Sequence, residues 1–141
     1  FRSQCDGHLV SLNLLLDDQA RKTRLDELYY PYHNAIQEYC REKTPRLFLS
    51  MHSFTPCYEG SVRPMHLGVL FDRDDSLGHL VTEEFVKRGY YAVENSPWTG
   101  KGGLMHSAEK HAISFPPASA LMLEVRQDLT ESKEWKEKFV R

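Results

Sequence analysis

The sequence predicts an α/β fold, a mostly parallel sheet flanked by helices. Short apolar runs appear at Leu47-Phe48-Leu49, His66-Leu67-Gly68-Val69-Leu70-Phe71, Tyr90 to Val93 and Leu121-Met122-Leu123. Each is strand-length and bounded by turn residues. Segments with helical spacing separate them, and that alternation is the pattern of strands joined by helical crossovers. No internal repeat or low-complexity tract competes with this reading.

Residues 1–16 are mixed, with a turn at Asp6-Gly7. Asp17-Asp18 place negative charge where a helix should start, and Leu25, Leu28, Tyr29, Tyr32, Ile36 and Tyr39 follow at helical intervals. Pro31 predicts a kink there, or a second helix with the proline in its first turn. Thr44-Pro45 ends the segment, and strands are expected near 46–52, 66–71, 90–93 and 119–125. Ser76 is the expected cap of a helix to about Lys87, with Gly89 as its stop. A short helix is expected over Leu104 to Ala112, and an amphipathic one over Thr130 to Arg141 with Trp135 and Phe139 paired at i and i+4.

The 141 residues suit one domain, and 40% apolar content supplies a core. A net charge of −2 points to neither a nucleic-acid surface nor an anionic membrane. The apolar runs are far short of a membrane span, and no signal-peptide pattern opens the chain. It begins at Phe1 rather than Met, the mark of a processed chain or a fragment. Cys5, Cys40 and Cys57 are odd in number and form no Cys-x-x-Cys, so the expected setting is a reducing, intracellular compartment: cytoplasm, or alternatively mitochondrial matrix.

Two strand ends carry chemistry. The first predicted strand delivers His52 to its C-terminal end, and the last one ends in Glu124 and Arg126. Ligands bind at the carboxyl ends of strands in open α/β sheets, and an imidazole with a carboxylate suggests a metal ligand and a general base. The plainer reading makes His52 a backbone-bonded strand residue and Glu124 the ion-pair partner of Arg126 two residues on. Ser53 has no nucleophile elbow around it, and Gly100-Lys101-Gly102-Gly103 lacks the spacing of a phosphate loop.

The string His52-Ser53-Phe54-Thr55-Pro56, then Gly60, Arg63-Pro64 and His66-Leu67-Gly68-Val69-Leu70, resembles the N-formylglutamate amidohydrolase family. Glu94-Asn95-Ser96-Pro97-Trp98, Leu123-Glu124-Val125-Arg126-Gln127-Asp128-Leu129, and Arg24 with Tyr30-Pro31-Tyr32-His33 resemble it too, in order along nearly the whole chain. The resemblance implies a carboxypeptidase/phosphorylase-like fold, here its C-terminal half and incomplete at the N-terminus. It also implies a zinc (Zn2+) amidohydrolase of N-acyl amino acids such as N-formylglutamate. His52 matches one zinc ligand of that family. The N-terminal histidine and glutamate that complete the set have no match here, and Ser50 stands where many relatives carry an aspartate.

On that footing Glu124 is the expected catalytic base and His52 the expected metal ligand. Arg63, Asn95 and Arg126 are the expected substrate-binding residues, with Trp98 beside Asn95 as pocket wall. Arginines suit a bidentate grip on a carboxylate, while a solvated loop arginine is an equal reading of Arg63. The expected partner is a small N-acyl amino acid substrate, or a protein covering the missing half-domain. In the alternative reading the chain is a non-catalytic structural or interaction subunit of a larger, organellar assembly.

Overall fold

The structure is a computed structural model that describes all residues except Arg2, Asp6 and Arg141, and Cys5 by its backbone alone. Two compact units divide it, Phe1–Thr44 and Pro45–Arg141.

The first unit opens with strands β1 (Gln4–Cys5) and β2 (His8–Leu9), paired antiparallel around Gly7 at φ +72°. The expected Asp6-Gly7 turn falls partly on Asp6, outside the described residues. A single turn, α1 (Ser11–Leu14), precedes helix α2 (Asp18–Arg24). Asp17 caps α2, its Oδ1 accepting the Ala20 N–H at 2.7 Å. Arg24 reaches back to Asn13 Oδ1 (2.8 Å) and the Leu12 carbonyl (2.7 Å), tying the helix to the segment before it. Residues Leu25–Tyr29 form a π-helical turn that leads without interruption into helix α3 (Tyr30–Lys43). Pro31 therefore sits in the first turn of α3, where its missing N–H is tolerated, and the wider π turn takes up the shift in hydrogen bonding. Thr44, at φ +46°, ends α3.

The second unit begins with strand β3 (Leu47–Phe54) and a small hairpin of β4 (Cys57–Tyr58) and β5 (Ser61–Val62). It continues with β6 (Leu67–Leu70), α4 (Asp75–Lys87), β7 (Ala92–Glu94), α5 (His106–Ser114), β8 (Ser119–Arg126), a 3₁₀ turn (Gln127–Glu131) and α6 (Lys133–Phe139). The sheet order is β3-β8-β6-β7. The β3–β8 and β6–β7 ladders are parallel and the central β8–β6 ladder antiparallel, so the sheet is mostly parallel with one reversal. Ser76 is not the cap of α4: the helix starts one residue earlier, after Asp74, whose Oδ2 accepts the Ala120 N–H at 3.4 Å. Gly89 stops α4 at φ +80°. The last helical stretch is broken by Ser132, whose hydroxyl caps α6 by accepting the Trp135 N–H at 3.2 Å.

Strand alternation divides the core by face. Leu121, Leu123, Leu67 and Val69 point to one side, under α4 and α6, where Trp135 and Phe139 stack at 4.8 Å. Ala120, Met122 and Leu70 point to the other, under Met105, Ala108 and Ala112 of the α5 segment. Leu121 is 1% exposed in the centre of the sheet. Truncating it leaves a cavity among buried neighbours on a central strand, so Leu121→Ala is expected to cost about 2–5 kcal/mol in urea unfolding. A cost under about 1 kcal/mol would mean that the two faces are not rigidly packed.

Candidate functional site

The β3–β8 ladder aligns the two strand ends residue for residue. His52 pairs with Glu124, and Phe54 with Arg126. Parallel register with equal offsets brings imidazole and carboxylate to one rung at the C-terminal rim of both strands. Because β6 runs the other way, Gly68 is the next residue on that rung, opposite Glu124. The segment that enters β6, rather than the one that leaves it, therefore reaches the same rim. That segment carries Arg63.

Glu124 is 5% exposed although it is a carboxylate. Burial pushes its pKa above the ordinary glutamate value, and the neighbouring charges of His52 and Arg63 partly offset the shift. The buried carboxylate therefore holds its proton more tightly than a solvated glutamate, with His52 and Arg63 near enough to act on its charge. His52 is exposed on the edge strand.

The hairpin fixes Arg63. Its turn residues Glu59 and Gly60 both take positive φ, the geometry a two-residue hairpin needs. The Arg63 N–H donates to the Pro56 carbonyl at 2.8 Å, adding a rung to the hairpin base. The guanidinium carbon lies 4.6 Å from the ring centroids of both Tyr58 and Trp98, and 5.9 Å from that of Phe54. Tyr58 and Trp98 meet edge to face at 5.5 Å. No ion pair is made by Arg63 among the described residues, and aromatic faces hold the cation.

Arg126 and Asn95 both bond within the chain. The Arg126 Nε and Nη2 donate to the two Asp128 carboxylate oxygens at 2.8 and 3.2 Å, while Nη1 donates to the Pro64 carbonyl at 2.9 Å. This pairing with Asp128 replaces the ion pair to Glu124 that the i+2 spacing allowed, and it braces the Arg63-Pro64 segment. The Asn95 Oδ1 accepts two backbone N–H groups, of Phe71 at 3.2 Å and Gly100 at 2.8 Å. The Arg126 guanidinium and the Asn95 Oδ1 thus bond backbone or a local partner, which sequence spacing alone does not reveal.

Two contributors escape a sequence reading. Tyr58 gives no signal in its own neighbourhood. Gly68 does: a glycine inside a buried strand marks close backbone approach. The loop after β7 crosses the sheet there, and a Cβ on Gly68 would overlap the Ser96 carbonyl oxygen. His66 is structural, its Nδ1 accepting the Tyr91 N–H at 3.0 Å.

A zinc centre takes about three protein ligands and a water. Among the described residues no group of three or more His, Cys, Asp or Glu side chains is placed to hold a metal ion. His52 and its rung partner Glu124 therefore do not form a closed zinc site by themselves.

The family model for N-formylglutamate amidohydrolases matches residues 3–130. The chain belongs to that family. The crystal structure of gene product Atu2144 from Agrobacterium tumefaciens is a structural neighbour of this family member, with a TM-score of 0.87 and 25% identity. The match covers 98% of this chain and 56% of that one, so the family member described here spans little more than half the length of its neighbour. No curated protein matches it. Among its described residues no helix is long and apolar enough to cross a membrane.

Proposed function

We propose that the chain carries the base and the substrate-carboxylate clamp of an amidohydrolase that cleaves N-acyl amino acids, N-formylglutamate among them. The observation that carries this reading is the shared rung of His52 and Glu124 beside the aromatic-held Arg63. Family membership supports the amidohydrolase class.

Arg63 suits the α-carboxylate of the amino acid, because a guanidinium stacked between rings presents its N–H edge bidentately. Arg126 holds the Arg63 segment in place through the Pro64 carbonyl. Glu124 takes a proton from the attacking water and returns it to the departing amine. A raised pKa suits both halves of that cycle, since a strongly acidic carboxylate would accept a proton poorly. His52 is one ligand of a zinc ion whose remaining ligands come from outside these 141 residues. When bound, that ion acidifies water and polarises the acyl carbonyl.

The test is formate release from N-formyl-L-glutamate, alongside calorimetric binding of the same compound. With added zinc the 141-residue chain is expected to bind the compound and to show no turnover above background, because one histidine does not retain zinc against water. Binding is expected to weaken at least tenfold in Arg63→Ala. Zinc-dependent turnover that disappears in His52→Ala would show that the chain closes a metal site unaided. Failure to bind N-formylglutamate would overturn the substrate assignment.

A further inference from the structure

We propose that Asn95 is a positioning residue that sets the orientation of Arg63 through Trp98, and so governs recognition of the substrate carboxylate without touching it. The inference rests on the reading of Arg63 as the carboxylate clamp.

The geometry runs in a short chain of contacts. Asn95 adopts φ +46°, a left-handed conformation that asparagine tolerates better than most residues. Its N–H donates to the Val69 carbonyl at 2.9 Å, which extends the β6–β7 ladder by one bond. Its Oδ1 then draws in Phe71 N–H from beyond β6 and Gly100 N–H from the far side of its own loop. One side-chain oxygen thus ties both ends of the segment 95–100 to the end of β6. The closure presses the Ser96 carbonyl against Gly68 and turns the chain through the cis Ser96-Pro97 peptide. Trp98 is carried across the sheet face to pack on the cluster of Leu70, Met105 and Met122, and its ring stands 4.6 Å from the Arg63 guanidinium carbon. Gly68 is the rung neighbour of Glu124, so the loop passes directly beside the buried carboxylate.

Arg63 has two aromatic walls, and they come from different elements. Tyr58 belongs to the hairpin that carries Arg63 itself, and fixes only its position relative to that hairpin. Trp98 belongs to the loop that Asn95 closes, and fixes the guanidinium relative to the sheet and hence to Glu124. Without the Asn95 side-chain bonds, Phe71 and Gly100 lose a shared acceptor at partly buried positions, and Trp98 is held over Arg63 only by its packing on the apolar cluster.

The signature to measure is the Arg63 Nε–H resonance of the 15N-labelled chain, assigned by its loss in Arg63→Lys. Ring currents from Trp98 and Tyr58 are expected to shift it upfield, and N-formyl-L-glutamate is expected to move it further on titration. In Asn95→Ala the upfield shift should shrink and the dissociation constant for N-formyl-L-glutamate should rise about tenfold. Asn95→Asp keeps an oxygen acceptor at the same place and should restore most of both. In an Arg63→Ala background, Asn95→Ala should add nothing further to the loss of binding, whereas a general loosening of the fold would add its own loss. A circular dichroism melt of each variant identifies any that fails to fold, and Asn95→Asp then carries the comparison through partial weakening.

The proposal is overturned if folded Asn95→Ala leaves the Arg63 resonance in place, or moves it while binding N-formyl-L-glutamate as tightly as the unaltered chain. It is also overturned if the two losses add in the double variant. If the unaltered chain does not respond to the compound, the clamp reading falls and the inference with it. If Arg63→Ala abolishes binding and Asn95→Ala does not change it, the clamp stands and only the role of Asn95 is lost.

Discussion

Glu124→Gln is expected to unfold at a higher temperature than the unaltered chain at pH 7, while removing most of the activity of any polypeptide that holds these residues within a complete metal site. The two effects share one cause. Burial raises the folded-state pKa of Glu124 above its ordinary value of 4.5. The folded chain therefore binds this proton more tightly than the unfolded chain, and stability falls as pH rises from the ordinary value through the raised one. Wherever the folded carboxyl is ionised, the unaltered chain carries the cost of the buried charge. Glutamine has nearly the same shape without that charge, so the gain should be roughly 1 kcal/mol, or about 3 °C for a chain of this length. The difference between the two proteins should vanish below about pH 4, where the carboxyl of the unaltered chain is protonated in both states. Loss of a general base lowers turnover by about 10²–10⁴-fold. A lower melting temperature at pH 7 would make Glu124 a structural anchor, and retained turnover would place the base elsewhere.

Gly68→Ala is expected to be the most damaging single-methyl change in the second unit. The added Cβ meets backbone, the Ser96 carbonyl, rather than the end of a movable side chain. Strand β6 is buried at every position and bonded on both sides, so it cannot retreat. The loop cannot easily retreat either, because the Asn95 bonds close it at both ends. The cost should reach about 3 kcal/mol, the upper part of the range for overpacking, a large share of a typical total of about 5–15 kcal/mol. Urea unfolding gives the energy, and near-ultraviolet circular dichroism reports whether the environment of Trp98 is lost. A cost below about 1 kcal/mol with the Trp98 signal intact would show that the crossing loop is free to move.

Much of this was open to a reading of residues in order. Strand positions came within one or two residues because apolar runs of four to eight with turn residues around them have few other uses in a chain of this kind. The convergence of His52 and Glu124 was legible because both end such runs. The direction of β6 was not. Its run is apolar throughout, so no alternation reveals which way it faces or points, and the helix that would normally return a parallel strand is replaced on its entry side by the 57–62 hairpin. The parts assigned to Arg126 and Asn95 were hidden for a different reason. Both residues act on backbone groups or on a side chain a few positions away, and spacing shows that a polar side chain is present without showing where its hydrogen bonds end. The partnership of Arg63 with Tyr58 and Trp98 joins two loops 40 positions apart at its extremes, 58 and 98, and nothing local encodes it.

The reversed direction of β6 has a consequence for how the sheet can be altered. The segments 55–66 and 126–128 approach His52 and Glu124, whereas residues 72–74 and 116–118 leave the sheet at its other end. A change in length at 116–118, such as an inserted label, would lie most of a strand away from His52 and Glu124 and clear of the Asn95 bonds beside residues 72–74. That separation offers an engineer a place to attach a label without lengthening the loops that meet at the His52–Glu124 rim.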